Sequence, residues 1–460
     1  MKKSFFLIST LCLLAFWGCA TDEEVITENT SISQVQTTKS TAPEIIPSER
    51  ISNQVVIHFK NKNIPEEEKQ VVRSKYEDRF NFSIQNIETC DCDNDGLELW
   101  TVQAVNAKGA IEELVKSLSN NQEGESDMDG NYQFSFQILN DAIYAGGHSS
   151  SLEQKTVISN SKDAVNIAIL DTGIDYDYFP ERFLYRSSSP NGCTNEISGW
   201  DFINNDHDPR DDNTHGTFVT KIITDILDQN NTPYQILPVK AFDQHGKGTF
   251  WSVICGMNYI AKKPGRFIVN TSFGYYGFPN QNILKNIIEN VKDRMLFISS
   301  AGNEGIDTDL FGNEHFPSSF DSYNLLTVGG YIQPDGVATN IDAHGYIHGL
   351  SKAPDSNYGF SSIDVLAPFS GYRMKLVSPN SIIKILTQGT SFGSALTSAR
   401  TAGLFFKNKT LSPVLLKKAT IETGYRSRGL FGIIKNQTII VKNMINSGGQ
   451  TPVPTPLPQS

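Results

Sequence analysis

From Leu152 onward the hydrophobic pattern alternates between two periods. Val165 to Leu170, Ile236 to Ala241, Phe267 to Ser272, Met295 to Ser300, Leu325 to Val328 and Ile363 to Leu366 are short apolar runs. Such runs suit strands that are buried on both faces. Between them, Phe250 to Ala261 and Ile283 to Lys292 carry a helical period, with Ile283, Leu284, Ile287, Ile288 and Val291 keeping one face. Ser412-Pro413 supplies an N-cap and a first-turn proline for a helix to about Ile421. Strands alternating with helices predict an α/β fold, a mainly parallel doubly wound sheet with helices on both faces.

The preceding segment has a different rhythm. Val55 to Phe59 reads as a strand, Pro65 to Tyr76 as a charged helix, Phe80 to Thr89 and Leu97 to Val102 as strands. Ala110 to Leu118 reads as an amphipathic helix and Tyr132 to Phe136 as a last strand. The order βαββαβ predicts a small α+β ferredoxin-like domain over residues 51–140. Asn94-Asp95-Gly96 sits between two of its strands and suits a hairpin turn, since Asn and Gly accept positive φ. An EF-hand reading of Asp91 onward fails, because the twelfth position is Val102 rather than an acid.

The chain has 460 residues, enough for more than one domain, and its 38% hydrophobic and 19% charged residues are ordinary for a globular protein. A net charge of -11 argues against nucleic acid as a partner. At the N-terminus Lys2-Lys3 precede an apolar run from Phe5 to Trp17, short for a bilayer span but suited to a signal peptide over residues 1–18. Residues 19–50, rich in Ser, Thr and charge, predict a flexible tether, and the Pro-rich residues 448–460 a disordered tail.

Three strings place an acid, a base and a nucleophile along the chain: Asp171-Thr172-Gly173, His215-Gly216-Thr217 and Gly389-Thr390-Ser391. The order Asp, His, Ser separates this chain from α/β-hydrolases, whose serine comes first. Asp171 falls at the end of a predicted strand, where side chains reach the crevice of an open α/β sheet. His215 opens one predicted helix and Ser391 another, Phe392 to Gly403. Helix N-termini carry unpaired N–H groups and partial positive charge, which would stabilise an oxyanion beside the serine. Asn303, after the strand ending at Ser300, is the candidate side-chain donor to that oxyanion. A lone Asp-Thr-Gly also occurs in aspartic peptidases, but no second copy exists here.

With these residues on view, the chain from about 155 to 447 resembles the subtilisin-like serine peptidases, the subtilases. The resemblance extends to Gly199-Trp200-Asp201-Phe202, Asp208-Pro209, Pro238-Val239-Lys240-Ala241, Val269 to Gly274, Phe360-Ser361-Ser362 and Asp364 to Pro368. It implies that Asp171 orients, His215 is the general base, Ser391 the nucleophile and Asn303 the oxyanion donor. It further implies that Ser272, Phe273, Gly274, Ser300, Ala301 and Gly302 bind substrate backbone and wall the pocket. The reaction so implied is peptide hydrolysis through an acyl-enzyme, with polypeptide substrates and no cofactor required for the chemistry.

The chain departs from the family at Phe392, Gly393 and Ala395, where Met, Ala and Pro are usual, at Thr220-Lys221, which replaces a small pair, and at Asn213-Thr214, where glycine is usual. Residues 51–140 resemble the family's inhibitory propeptide, which implies a maturation cut in the linker, residues 141–154, or just before it after Gln137. Asp206, Asp208, Asp211 and Asp212 are candidates for a structural calcium site.

Gly18-Cys19 resembles a bacterial lipoprotein signal and Ala20 to Glu24 the acidic export signal of Bacteroidetes-type lipoproteins. The resemblance implies lipidation of Cys19, a membrane anchor, and an exported outer-membrane protein at the cell surface or in the periplasm. Cys90, Cys92, Cys193 and Cys255 then remain, and an exported protein can oxidise them. Three pairings are open, as are free thiols, although a bridge between Cys90 and Cys92 would be strained. Two rivals stand beside the peptidase: a silent lipoprotein that binds peptides on the same scaffold, and a hydrolase of other acyl groups.

Overall fold

A computed structural model describes residues 48–92, 96–119, 128–138, 163–176, 179, 184–186, 193, 195–378 and 381–441. The signal segment, Cys19, most of the tether, the linker and the tail lie outside the described residues.

The N-terminal unit runs β1 (Glu49–Phe59), α1 (Glu66–Phe80), β2 (Ser83–Thr89), β3 (Leu97–Gln103), α2 (Ala107–Ser119) and β4 (Met128–Gln137). The strands lie in the order β2-β3-β1-β4, all antiparallel. Leu114 and Ile111 of α2 pack with Val55, Ile57 and Trp100 of the sheet. β1 starts at Glu49, inside the segment read as tether, because Arg50 is held by Glu112 at 2.6 Å and its guanidinium lies over the Tyr132 ring. Glu98 of β3 is buried and accepts from Arg73, Lys69 and Trp100, and these partners outweigh burial and hold its carboxyl below the usual range.

The larger unit continues with β5 (Val165–Asp171), β6 (Trp200–Asp201), α3 (His215–Gln229), β7 (Tyr234–Lys240), β8 (Lys247–Thr249), α4 (Phe250–Lys262), β9 (Phe267–Thr271), α5 (Asn282–Asn290), β10 (Met295–Ser300) and β11 (Leu325–Ile332). Short strands β12 (Asn340–Ile341), β13 (Ile347–His348) and β14 (Ser351–Lys352) precede β15 (Val365–Pro368). A hairpin of β16 (Ser370–Ser378) and β17 (Ser381–Gln388) then leads into α6 (Thr390–Lys407), followed by α7 (Pro413–Glu422), β18 (Tyr425–Arg426) and β19 (Thr438–Ile439).

The main sheet has the order β18-β19-β15-β11-β10-β9-β5-β7-β6, parallel from β19 to β6. Alternate residues face opposite sides, as the pleat requires. Ala168, Leu170, Val269 and Phe297 pack toward α4 and α5, whereas Ile167, Ile169, Ile268 and Ile298 pack toward α3 and α6. The mainly parallel α/β sheet with helices on both faces expected from the alternating pattern is therefore the one observed. After β5 the chain adds β7 on one side and then β9 on the other, so the sheet order switches at β5. Crevices for ligands form beyond the carboxyl end of a strand at such a switch, and β5 ends in Asp171.

The two units share one apolar cluster. Val56, Leu97, Leu99, Phe134, Phe136 and Ile138 of the first pack with Phe242, Phe250, Ile254 and Ile283 of the second. β4 also pairs antiparallel with β8, so the small sheet gains a fifth strand from the larger unit.

Candidate active site

Asp171 is fully buried at the end of β5, and its Oδ1 lies 2.7 Å from Nδ1 of His215, the first residue of α3. The same oxygen accepts from the Thr172 N–H at 2.8 Å, which fixes the carboxylate plane. An acid held this way selects the imidazole tautomer with its proton on Nδ1, leaving Nε2 as the basic nitrogen.

The approach to His215 is built around Asp211. Its carboxylate accepts from Thr172 Oγ1, from the backbone of Asn213, Thr214 and Thr217, and from Thr217 Oγ1. Thr172 Oγ1 in turn accepts from the Gly216 N–H, so the acid's strand and the base's helix are tied through one side chain. Thr214 has φ 94° without being glycine, a conformation that costs about 1 kcal/mol or more. The bond from its N–H to Asp211 at 2.8 Å helps hold it there. Lys240, buried on β7 beside Asp171, donates to the Thr172 carbonyl and pairs with Asp212.

Ser391 follows Thr390 in the first turn of α6, and its Oγ donates to the Ser272 carbonyl at 3.3 Å. Ser272 Oγ reaches back to the Ser391 carbonyl at 3.0 Å and is itself bonded to Asn270 and Ser394. Phe392 is buried beside the imidazole, with ring centroids 5.7 Å apart. Asn303 Oδ1 accepts from both the N–H and the Oγ1 of Thr390, at 2.9 and 3.0 Å. That grip commits the carboxamide oxygen and so defines which end of the group is the amide donor. Thr390 is a site residue beyond those the sequence predicts, and it stands next to Ser391 in the same string.

Ser391, Asn303, Thr390, Ser272, Phe273, Gly274, Ser300 and Gly302 line one pocket. Ala301 does not share it: its side chain packs in the apolar cluster with Ile363 and Leu366, and its carbonyl accepts from Asn357 at 2.8 Å. The pocket also contains Phe136, Gln137 and Ile138 of the N-terminal unit. The Ile138 N–H donates to the Gly246 carbonyl at 2.8 Å, which carries the β4–β8 ladder into the cleft. The Phe136 ring lies against Phe242, Phe273 and Tyr275.

Residues that the sequence did not suggest complete the far wall. Glu304 bonds to Tyr276 and Asn357 and accepts from the Asn303 N–H. His315 packs so closely on Gly274 that a Cβ there would fall 2.0 Å from its ring. Burial lowers the His315 pKa from 6.5 to about 4. The unfolded chain therefore takes up this proton at a higher pH than the native one. Stability should be complete above pH 6.5 and fall as pH drops toward 4, by at most about 3 kcal/mol from this group. Urea titrations of wild type and His315→Gln across that window should show a shallower decline in the variant. Parallel curves would refute the assignment.

The acidic loop expected to hold calcium spends much of its carboxylate capacity on protein partners. Asp211 is spent on the turn before His215, Asp212 on Lys240, and Asp208 on Arg210 at 3.0 Å, while Asp206 Oδ1 accepts from the Asp208 N–H. Their oxygens do not converge: among the described residues the one group of three potential metal ligands is Cys92, Cys193 and Glu196, whose carboxylate is bound by Lys263 at 2.9 Å. Lys221 is also explained, since it points outward along α3 and pairs with Asp225 at 2.7 Å, while Thr220 is buried and bonds to the Gly216 carbonyl.

A bonded Asp and His lie at the switch point of a parallel sheet, and a helix-start serine and an anchored carboxamide line one pocket. The chain belongs to the subtilase family, whose model matches residues 162–444. It is 28% identical over 274 residues to a thermophilic serine proteinase of Bacillus sp. (strain AK1), covering 56% of this chain and 58% of that protein. It is 26% identical over 211 residues to thermitase of Thermoactinomyces vulgaris, covering 44% of this chain and 62% of that one. The chain thus spans less than two thirds of either relative. A crystal structure of a cold adapted subtilisin-like serine proteinase is similar over 64% of this chain and 95% of its own, at 20% identity and a TM-score of 0.43.

Proposed function

We propose that the protein is a serine endopeptidase in which Ser391 attacks the peptide carbonyl, His215 takes and returns the proton and Asp171 holds the imidazole. The observation that carries this reading is the 2.7 Å bond from Asp171 to His215, whose ring lies 5.7 Å from that of Phe392, the residue after Ser391. A serine hydroxyl is a weak nucleophile, so Ser391 must turn from the Ser272 carbonyl toward Nε2 before it reacts. The tetrahedral oxyanion is met by the Asn303 amide and by the Ser391 N–H in the first turn of α6. The pocket-lining segment Ser272 to Gly274 after β9, and the strand edge of β8, suit a peptide laid in as an added strand. That favours polypeptides over small esters. The peptide-binding scaffold without turnover has no chemical use for a buried acid–base pair and is disfavoured.

We infer further that the N-terminal unit is an inhibitory propeptide, because β4 occupies the strand position beside β8 and carries Ile138 to the pocket of Ser391. The cut expected in the linker, or just before it after Gln137, lies almost wholly outside the described residues. Lipidation at Cys19, anchoring to a membrane and export to the cell surface or periplasm are supported by the N-terminal sequence alone. The chemistry requires no cofactor, and a structural calcium ion is not proposed at the acidic loop.

Digestion of an unfolded protein by the matured enzyme tests the reading. Asn303→Ala should lower kcat about 10²- to 10³-fold with KM little changed, since it removes a bond made in the transition state. A variant with wild-type kcat would sink the oxyanion assignment. Failure of the wild type to digest any unfolded protein, once its N-terminal unit has been removed, would sink the function.

A further inference from the structure

Cys90 and Cys92 lie between β2 and β3 of the N-terminal unit, Cys255 on α4 and Cys193 in the segment before β6. They pair across the two units, Cys90 with Cys255 and Cys92 with Cys193, with Cα atoms 5.5 and 5.2 Å apart. The crosslinks span 165 and 101 residues, and both loops contain the whole stretch between Ile138 and Val165. Any backbone cut in that stretch therefore opens two closed loops and separates nothing.

We propose that the N-terminal unit is a covalently retained inhibitor, and that clearing the cleft takes reduction of both cystines by a dithiol in addition to backbone cleavage. This rests on the reading of the cleft as that of a peptidase blocked by β4. A propeptide held by contacts alone can diffuse away after the cut. One that stays tethered rebinds intramolecularly, at an effective concentration in the millimolar range for short connections. Here the rebinding surface is large, since Phe134, Phe136 and Ile138 belong to the apolar cluster that joins the units. Cleavage alone then leaves β4 beside β8.

The chemistry of release is thiol–disulfide exchange. A thiolate of the dithiol attacks one cystine sulfur, expels the partner cysteine as a thiolate and forms a mixed disulfide; its second thiolate then attacks the dithiol's own bonded sulfur and expels the remaining protein thiolate. Each cystine gains two electrons and two protons, and each dithiol becomes one disulfide. The two bridges differ in access. Cys193 is partly exposed, whereas Cys90 and Cys255 are buried at 4% and 2% exposure within the shared cluster. Reduction should therefore begin at Cys92–Cys193 and reach Cys90–Cys255 only as the two units part.

The test uses the full chain purified without reductant, as wild type and as Ser391→Ala. Peptide mapping under non-reducing conditions should find the Cys90–Cys255 and Cys92–Cys193 linkages in both. Wild type that has cut itself should run as one species on a denaturing gel and as two after dithiothreitol. Its hydrolysis of a short peptide should rise on the order of 10²-fold on adding dithiothreitol. A variant with Cys90, Cys92, Cys193 and Cys255 replaced by serine should be active after the cut without any dithiol. Where that variant does not fold, reduction of the wild type followed by capping with iodoacetamide gives the same comparison.

Alkylation of Cys90, Cys92, Cys193 and Cys255 without reduction, or a nicked oxidised enzyme already at full rate, would overturn the tether. So would loss of activity on reduction, the result expected if the bridges only stabilise the fold. Linked fragments with no hydrolysis before or after dithiothreitol would instead overturn the peptidase reading, and with it the inhibitory role.

Discussion

Ser391→Ala should fold normally and hydrolyse peptides about 10⁶-fold more slowly than the matured wild type. The substitution removes one oxygen from a buried position whose Oγ makes a long bond of 3.3 Å to the Ser272 carbonyl. Nothing else that shapes the first turn of α6 depends on that oxygen. Ser394 still bonds to the carbonyl of residue 391, and Thr390 still holds Asn303. The melting temperature should therefore move little while covalent catalysis disappears. The residual rate reflects the oxyanion donors and substrate binding, which operate without the nucleophile. A rate within tenfold of wild type would show that another group attacks the carbonyl.

Asp171→Asn should lower kcat by about 10⁴-fold and leave KM nearly unchanged. Asp171 is fully buried and accepts twice through Oδ1, from His215 and from Thr172. An asparagine can keep one of these contacts, but an amide nitrogen facing the ring favours the tautomer with the proton on Nε2. The base then has no lone pair where Ser391 needs it. Substrate contacts at Ser272 to Gly274 do not involve Asp171, so binding should persist. Steady-state kinetics on one peptide give both parameters, and an unchanged kcat would remove Asp171 from the mechanism.

Much of this arrangement could be read in the chain before the structure. The strands of the main sheet announce themselves because burial on both faces demands apolar runs, as from Val165 to Leu170. Asp171, His215 and Ser391 are legible because each sits where an apolar element ends or begins. The outward direction of Lys221 is also carried by helical phase, since Phe218, Val219, Ile222 and Ile223 keep the buried face of α3. The β16–β17 hairpin, by contrast, is a two-stranded ribbon outside the main sheet, so the pattern that found the parallel strands passes over it.

Other features depend on contacts that sequence does not rank. Asp211 and its acidic neighbours look alike in the sequence as metal ligands, and only the turn geometry makes Asp211 the acceptor of five hydrogen bonds. Three cysteine pairings are equal on paper, and the fold selects one by bringing the β2–β3 connection to α4 at Cys255 and to the segment before β6 at Cys193. His315 has no motif at all. It enters the pocket because Gly274 leaves room for its ring.

The central claim is that Ser391 is an activated nucleophile. Its most direct test is to treat wild type, both oxidised and cleared of its N-terminal unit by dithiothreitol, with a fluorophosphonate and to map the adduct by mass spectrometry. One adduct on Ser391 in the cleared enzyme, absent from Ser391→Ala and from His215→Ala, is the predicted result. A cleared enzyme that stays unlabelled, or an adduct on another residue, would contradict it.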